Sequence, residues 1–164
     1  MRKIILLVTA LLMLAAVNFN IYQRELQLDT GRTVLLELAP VDPRSLMQGD
    51  YMALRFAIAN LAFSGQDLKT LVDGSLVVTV DERNVGTFNR LDDASPLAAN
   101  EVLLRYRIRK GRVKFATNAF FFQEGHAEDY AKARFGEFRV APDGEMILTR
   151  LRDEELTVLG EEVL

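Results

Sequence analysis

Asp42-Pro43-Arg44-Ser45-Leu46-Met47-Gln48-Gly49-Asp50-Tyr51-Met52-Ala53-Leu54-Arg55-Phe56 reads as a tight loop feeding a buried strand. Asp42 before Pro43 suits the start of a helical turn. A carboxylate there accepts from free backbone N–H groups, and proline tolerates the first helical position. Gly49 supplies the positive-φ residue that ends such a turn. Asp50 follows at the loop-to-strand junction, where its carboxylate can bond nearby backbone N–H groups. From Tyr51 the pattern has period two: Met52, Leu54, Phe56 and Ile58 face one way, and Tyr51, Ala53, Arg55 and Ala57 the other. This spacing predicts a strand over 51–58 with one face in the core.

Working outward to the N-terminus, Met1-Arg2-Lys3 is followed by an apolar run over 4–17, then by Asn18, Phe19, Asn20, Ile21 and Tyr22. Counted on to Tyr22, the segment reaches the roughly 20 residues that a bilayer-spanning helix needs. Tyr22 then serves as an interfacial ring. A cleaved signal peptide is the competing reading. Ala15-Ala16 suits it, but Met13 and Leu14 occupy the upstream positions where small residues belong. We therefore expect a signal anchor over 1–22, with the lipid bilayer contacted through residues 4–22, and one extracytoplasmic domain over 23–164. The positive charges before the segment, and Arg24 balanced by Glu25 after it, predict a cytoplasmic N-terminus and a periplasmic domain on a single-pass inner-membrane protein.

Further along, 32–41 reads as a strand with Val34, Leu36 and Leu38 on one face and Pro40 at its end. A short helix is expected around 66–72, then a turn at Asp73-Gly74. The run 76–81 pairs with 85–91 across Arg83-Asn84, asparagine being a residue that accepts αL. The loop 92–100 precedes a hairpin over 101–117 with Lys110-Gly111 as its two-residue turn. That register sets Arg109 opposite Arg112, Arg107 opposite Lys114, Ile108 opposite Val113 and Tyr106 opposite Phe115. Phe120, Phe121 and Phe122 suit a core or an interface. A short helix over 127–133, ended by Gly136, leads to a last hairpin, 137–141 and 145–152, around Pro142-Asp143-Gly144. The acidic tail reads as solvated. The fold class expected is mainly β: an N-terminal transmembrane helix, then an antiparallel β sandwich or partly open barrel with one or two short helices.

Gly49, Asp50, Tyr51, Leu54 and Phe56 resemble the namesake motif of the GDYXXLXY family of bacterial proteins. Phe56 departs from the motif's final tyrosine, keeping the ring and losing the hydroxyl. Phe122-Gln123-Glu124-Gly125 and Ala133-Arg134-Phe135-Gly136-Glu137 are also similar to that family. The resemblance covers most of the chain after the N-terminus. It implies a membrane-associated domain of unknown function, in some members fused to multi-spanning segments, and brings no catalytic residues with it.

Chemistry-bearing patterns are sparse. The chain has no cysteine, hence no disulfide and no thiolate metal site, and His126, its one histidine, makes a poor zinc set. No metal ligands and no cofactor are expected. A net charge of −3 argues against general nucleic-acid binding. Ser45-Leu46-Met47-Gln48-Gly49-Asp50 is also similar to a passage of type I signal peptidases. Laid over it, the nucleophilic serine of those enzymes falls on Val41, and Ser45 takes a threonine position. A serine hydrolase lacking its usual nucleophile is thus the alternative to a non-enzymatic envelope domain. Arg105, Arg107, Arg109, Arg112 and Lys114, with Lys110, form a basic face. Either carboxylates elsewhere in the fold screen it, or it meets something anionic, such as lipid headgroups or an acidic partner surface. The function expected is an accessory domain that binds a membrane protein or another envelope component.

Overall fold

The structure, a computed structural model, describes residues 2–39, 47–48, 51–66, 71–117 and 119–160. Its first element is a helix, α1, Arg2–Thr30. Of this, Lys3–Thr30 is long and apolar enough to cross a membrane. The apolar side chains from Ile4 to Tyr22 are exposed, as a span facing lipid requires. The polar groups within it are satisfied locally. Thr9 Oγ1 donates to the Ile5 carbonyl, Asn18 Nδ2 to Leu14 and Asn20 Nδ2 to Ala16, each at 2.9 Å. Each bond pairs one N–H of the asparagine amide with the helix's own backbone.

Among the described residues ten strands follow, all paired antiparallel within their sheets: β1 Arg32–Glu37, β2 Met47–Gln48, β3 Tyr51–Ala53, β4 Gly74–Val80, β5 Gly86–Leu91, β6 Glu101–Arg109, β7 Arg112–Lys114, β8 Ala119–Phe121, β9 Phe135–Val140 and β10 Met146–Arg152. One sheet has the order β1-β9-β10, a second β2-β3-β8 and a third β5-β4-β6-β7. Isolated bridges stitch them together: Leu35 to Val85 joins the first sheet to the third, and Leu38 to Phe56 joins it to the chain after β3. The sheet curls into a half-barrel that follows the N-terminal helix in the chain. At one end the Arg105 N–H on β6 donates to the Gly144 carbonyl in the β9–β10 turn at 2.9 Å.

The core fills the concave side. Leu36, Leu54, Leu76, Leu104, Leu151, Phe115 and Phe138 are fully buried. The predicted inward faces hold for Val34, Leu36 and Leu38, for Leu76, Val78 and Val80, and for Met52, Leu54, Phe56 and Ile58. Val77 is buried too, so β4 lies inside on both faces.

Four expectations are corrected. The strand foreseen over 51–58 stops at Ala53, and a second helix, α2, Ala57–Ala62, follows at once. Three alanines favour a helix there, and Ile58 and Ala62, four apart, share its buried face. Gln66, Leu71 and Val72 are not helical, so this helix lies earlier than the one expected around 66–72; residues 67–70 fall outside the described ones. Gly136 ends no helix. It sits inside β9, where a side chain would meet Phe56 Cε1 at 3.1 Å, and the preceding turn is a 3₁₀ helix, Ala127–Tyr130. In the acidic tail Glu154 and Glu155 are exposed as expected, and Glu161 and Glu162 lie outside the described residues, but the segment 153–160 also docks on the fold. The Leu159 N–H donates to the Leu151 carbonyl, Arg152 reaches the Leu156 carbonyl, and Gly160 lies against the Tyr130 hydroxyl.

Candidate functional site

The β6–β7 hairpin adopts the expected register. Lys110 and Gly111 both take positive φ, 54° and 66°, the conformation of a type I′ turn whose twist matches the flanking strands. Arg107 therefore pairs with Lys114, Ile108 with Val113 and Arg109 with Arg112. Phe115 lies beyond β7 and is fully buried, so the expected Tyr106–Phe115 pair is not a strand pair. Like charges face each other across this hairpin, which is unfavourable unless counter-charges stand nearby.

Counter-charges arrive from two other elements. Glu145, at the entrance to β10, accepts from Arg105 at 3.2 Å and from Arg107 at 3.5 Å. Asp143 in the adjoining turn lies 3.4 Å from Arg105. Asp73, just before β4, takes Arg109 through two bonds of 2.8 and 2.9 Å and accepts the Ile108 N–H at 2.8 Å. The Arg109 guanidinium, then the Ile108 amide, hold the Asp73 carboxyl below the usual carboxylate value.

The third contributor is α1. Its Gln27, only 8% exposed, donates to the carbonyls of Glu145 at 2.9 Å and Arg139 at 3.2 Å. Arg24 donates to the Gln27 side-chain oxygen at 3.1 Å and comes within 4.0 Å of Glu145. Arg139 closes the junction by donating to the Gly31 carbonyl and the Thr33 hydroxyl. The end of the apolar helix is thereby locked to the β9–β10 turn.

Together these groups bound a cleft of about 490 Å³. Its walls carry Arg24, Arg105, Arg107, Arg109 and Lys114, and Glu145 is the one acid among them; Phe115, Met146 and Leu148 line its apolar side. Five cations and three neighbouring acids, Glu145, Asp143 and Asp73, leave a surplus of two positive charges. Among the described residues, no ion pair engages Lys114. The structure thus gathers Arg105, Arg107, Arg109 and Lys114 around the cleft, whereas Arg112, exposed and paired with Arg109 next to the turn, is not among its lining residues. Arg24 and Glu145 are the members that reading along the chain missed. They lie 121 positions apart, and no local spacing signals such a pair.

The motif residues go elsewhere. Gly49 and Asp50 lie outside the described residues, as do Val41 and Ser45. Tyr51 on β3 pairs with Phe121 on β8, the ring centroids 5.8 Å apart. Leu54 and Phe56 are core residues, and Phe56 meets Phe138 and Phe115 edge-on at 5.3 and 6.0 Å. His126 is exposed and bonds Asp129 at 2.8 Å. Among the described residues, no group of three or more histidines, cysteines or carboxylates could hold a metal ion.

A family model described as GDYXXLXY protein matches residues 13–151, most of the chain. No curated protein and no solved structure matches.

Proposed function

The chain belongs to the GDYXXLXY protein family, and from that premise we propose that it is a membrane-anchored, non-enzymatic accessory domain of the bacterial envelope. In this reading residues 1–22 remain attached as a signal anchor in the inner membrane, the N-terminus is cytoplasmic, and 23–164 form the periplasmic domain that engages a membrane protein or another envelope component. The observation that carries it is the junction. An exposed apolar helix runs without a break into Gln27, whose side chain is bonded to a backbone carbonyl of β9 and to one of the β9–β10 turn. The joint makes the end of the helix part of the folded domain, so that a helix retained in the bilayer would hold the domain at a set height above it. The positive residues before the span favour the stated orientation.

The absence of cysteine makes the test direct. Full-length chain carrying Ser95→Cys, in the exposed loop before β6, should label with an impermeant maleimide from the periplasmic side, whereas Lys3→Cys should not. The protein should stay in the membrane at alkaline pH and begin at Met1 or Arg2. The reverse labelling pattern, or a mature N-terminus near Val17, would sink the reading.

A further inference from the structure

We propose that the cleft between α1 and the β6–β7 hairpin is a binding site for the phosphate headgroup of an anionic phospholipid. The inference rests on the membrane-anchored reading above. Its first support is position. Residues 4–22 make about 28 Å of helix at 1.5 Å per residue, close to the roughly 30 Å hydrocarbon thickness of a bilayer. Tyr22 then lies at the edge of the hydrocarbon and Arg24 about 3 Å beyond it, inside a headgroup layer some 5–8 Å deep. Arg24 is itself a wall of the cleft, so the cleft opens at headgroup height. Asn20 gives a second fix. It shares a hollow with Pro142 and Asp143, which brings the β9–β10 turn down to the same boundary.

The second support is charge. The surplus of two positive charges matches a phosphodiester and its neighbour better than it matches a solvated face, where like charges across a hairpin are simply unfavourable. Arginine forks suit phosphate oxygens in pairs. Lys114 stands among them with no acid of its own among the described residues. The third support is the apolar side of the cleft, Phe115, Met146 and Leu148, which gives the first methylenes of an acyl chain a surface to lie on. Glu145 occupies the middle of the arginines that the phosphate would take. It acts as an internal stand-in for the anion, and lipid binding exchanges one acceptor for another.

The test uses full-length protein in nanodiscs containing phosphatidylglycerol or phosphatidylcholine, released into detergent and weighed by native mass spectrometry. Phosphatidylglycerol adducts should exceed phosphatidylcholine adducts. The triple variant Arg105→Gln, Arg107→Gln, Lys114→Gln should retain roughly a hundredfold less, since each of the three cations near a membrane surface is worth about fivefold. A control with the same charge change away from the cleft, Arg83→Gln with Arg90→Gln and Lys132→Gln, should retain as much as wild type. Glu145→Gln, which keeps the backbone carbonyl that holds Gln27, should retain more. Equal retention of the two lipids, or equal loss in triple variant and control, would overturn the assignment. Displacement by millimolar inorganic phosphate would also overturn it, in favour of a free anion. Equal urea midpoints for wild type and triple variant establish that the loss is not unfolding, and a loss of adducts that merely follows a lowered midpoint in a second variant, Arg107→Gln alone, counts against the site. Extraction at alkaline pH would refute the anchor; firm membrane retention with no lipid preference refutes the cleft alone.

Discussion

Phe56 and Gly136 offer a quantitative test of the idea that the family motif is a packing device. The Phe56 ring, 3% exposed, lies edge-on to Phe138 and Phe115 and over Gly136. A phenylalanine side chain buries roughly 150–250 Å², which at about 25 cal/mol per Å² is an upper figure of about 4–6 kcal/mol. Alanine in place of a core phenylalanine typically costs about 3–5 kcal/mol, so we expect about 4 kcal/mol for Phe56→Ala. With a urea slope of about 2 kcal/mol per M, the midpoint falls by roughly 2 M. Far-UV circular dichroism on full-length protein in mild detergent reads this from the β signal. Gly136→Ala approaches the same contact from the other side. Its new Cβ would sit 3.1 Å from Phe56 Cε1, 3.2 Å from Leu148 Cδ1 and 3.3 Å from Phe138 Cε2. Overpacking of that kind costs about 1–3 kcal/mol. In a Phe56→Leu background the penalty should shrink by about 1 kcal/mol, because the two sites share one space. A loss below about 1 kcal/mol for Phe56→Ala, or strictly additive effects in the cycle, would refute the reasoning.

Two further predictions concern the supports of the cleft. The Asp73 carboxyl is held below its ordinary value by Arg109 and the Ile108 amide, so its folded pKa is depressed. The contribution of the pair is present above the unfolded pKa and is lost as pH falls through the folded one, that is, below about pH 4. The protection factor of the Ile108 amide against hydrogen exchange, with the intrinsic pH dependence divided out, should therefore fall on acidification in wild type, and Asp73→Asn should remove that fall; an unchanged protection factor would contradict it. Gln27→Leu leaves the carbonyls of Arg139 and Glu145 without their donor, at a cost of about 1–3 kcal/mol. Spin labels at Asn20→Cys and Pro142→Cys, residues that line one hollow, should give a narrow distance distribution that broadens with Gln27→Leu. An equally narrow distribution would mean that other contacts orient the helix.

Several elements could be read from the chain alone because their signals are local. The apolar run before Tyr22 predicts a spanning helix, since length and hydropathy act on one segment at a time. Lys110-Gly111 predicts the hairpin and its like-charge pairs, because a two-residue turn sets register by itself. Asn84 at φ 64° and Gly144 at φ 85° mark turns for the same reason. Inward faces followed from period-two alternation even where the element was mistaken: Ile58 is buried, but on α2 rather than on a strand, because a few alternating residues satisfy both patterns and the alanines decide between them.

Tertiary structure alone decided what surrounds the basic face. Residue type and alternation put Arg105, Arg107 and Arg109 on one side of β6, but whether that side meets water, acid or bilayer depends on partners remote in sequence. The fold brings Glu145 from the last hairpin and Arg24 from the anchor to the same place, through the two backbone bonds that Gln27 makes. Turns and spans are encoded within a few residues; a cleft walled by three separate elements exists only once the sheets have curled and closed over their core.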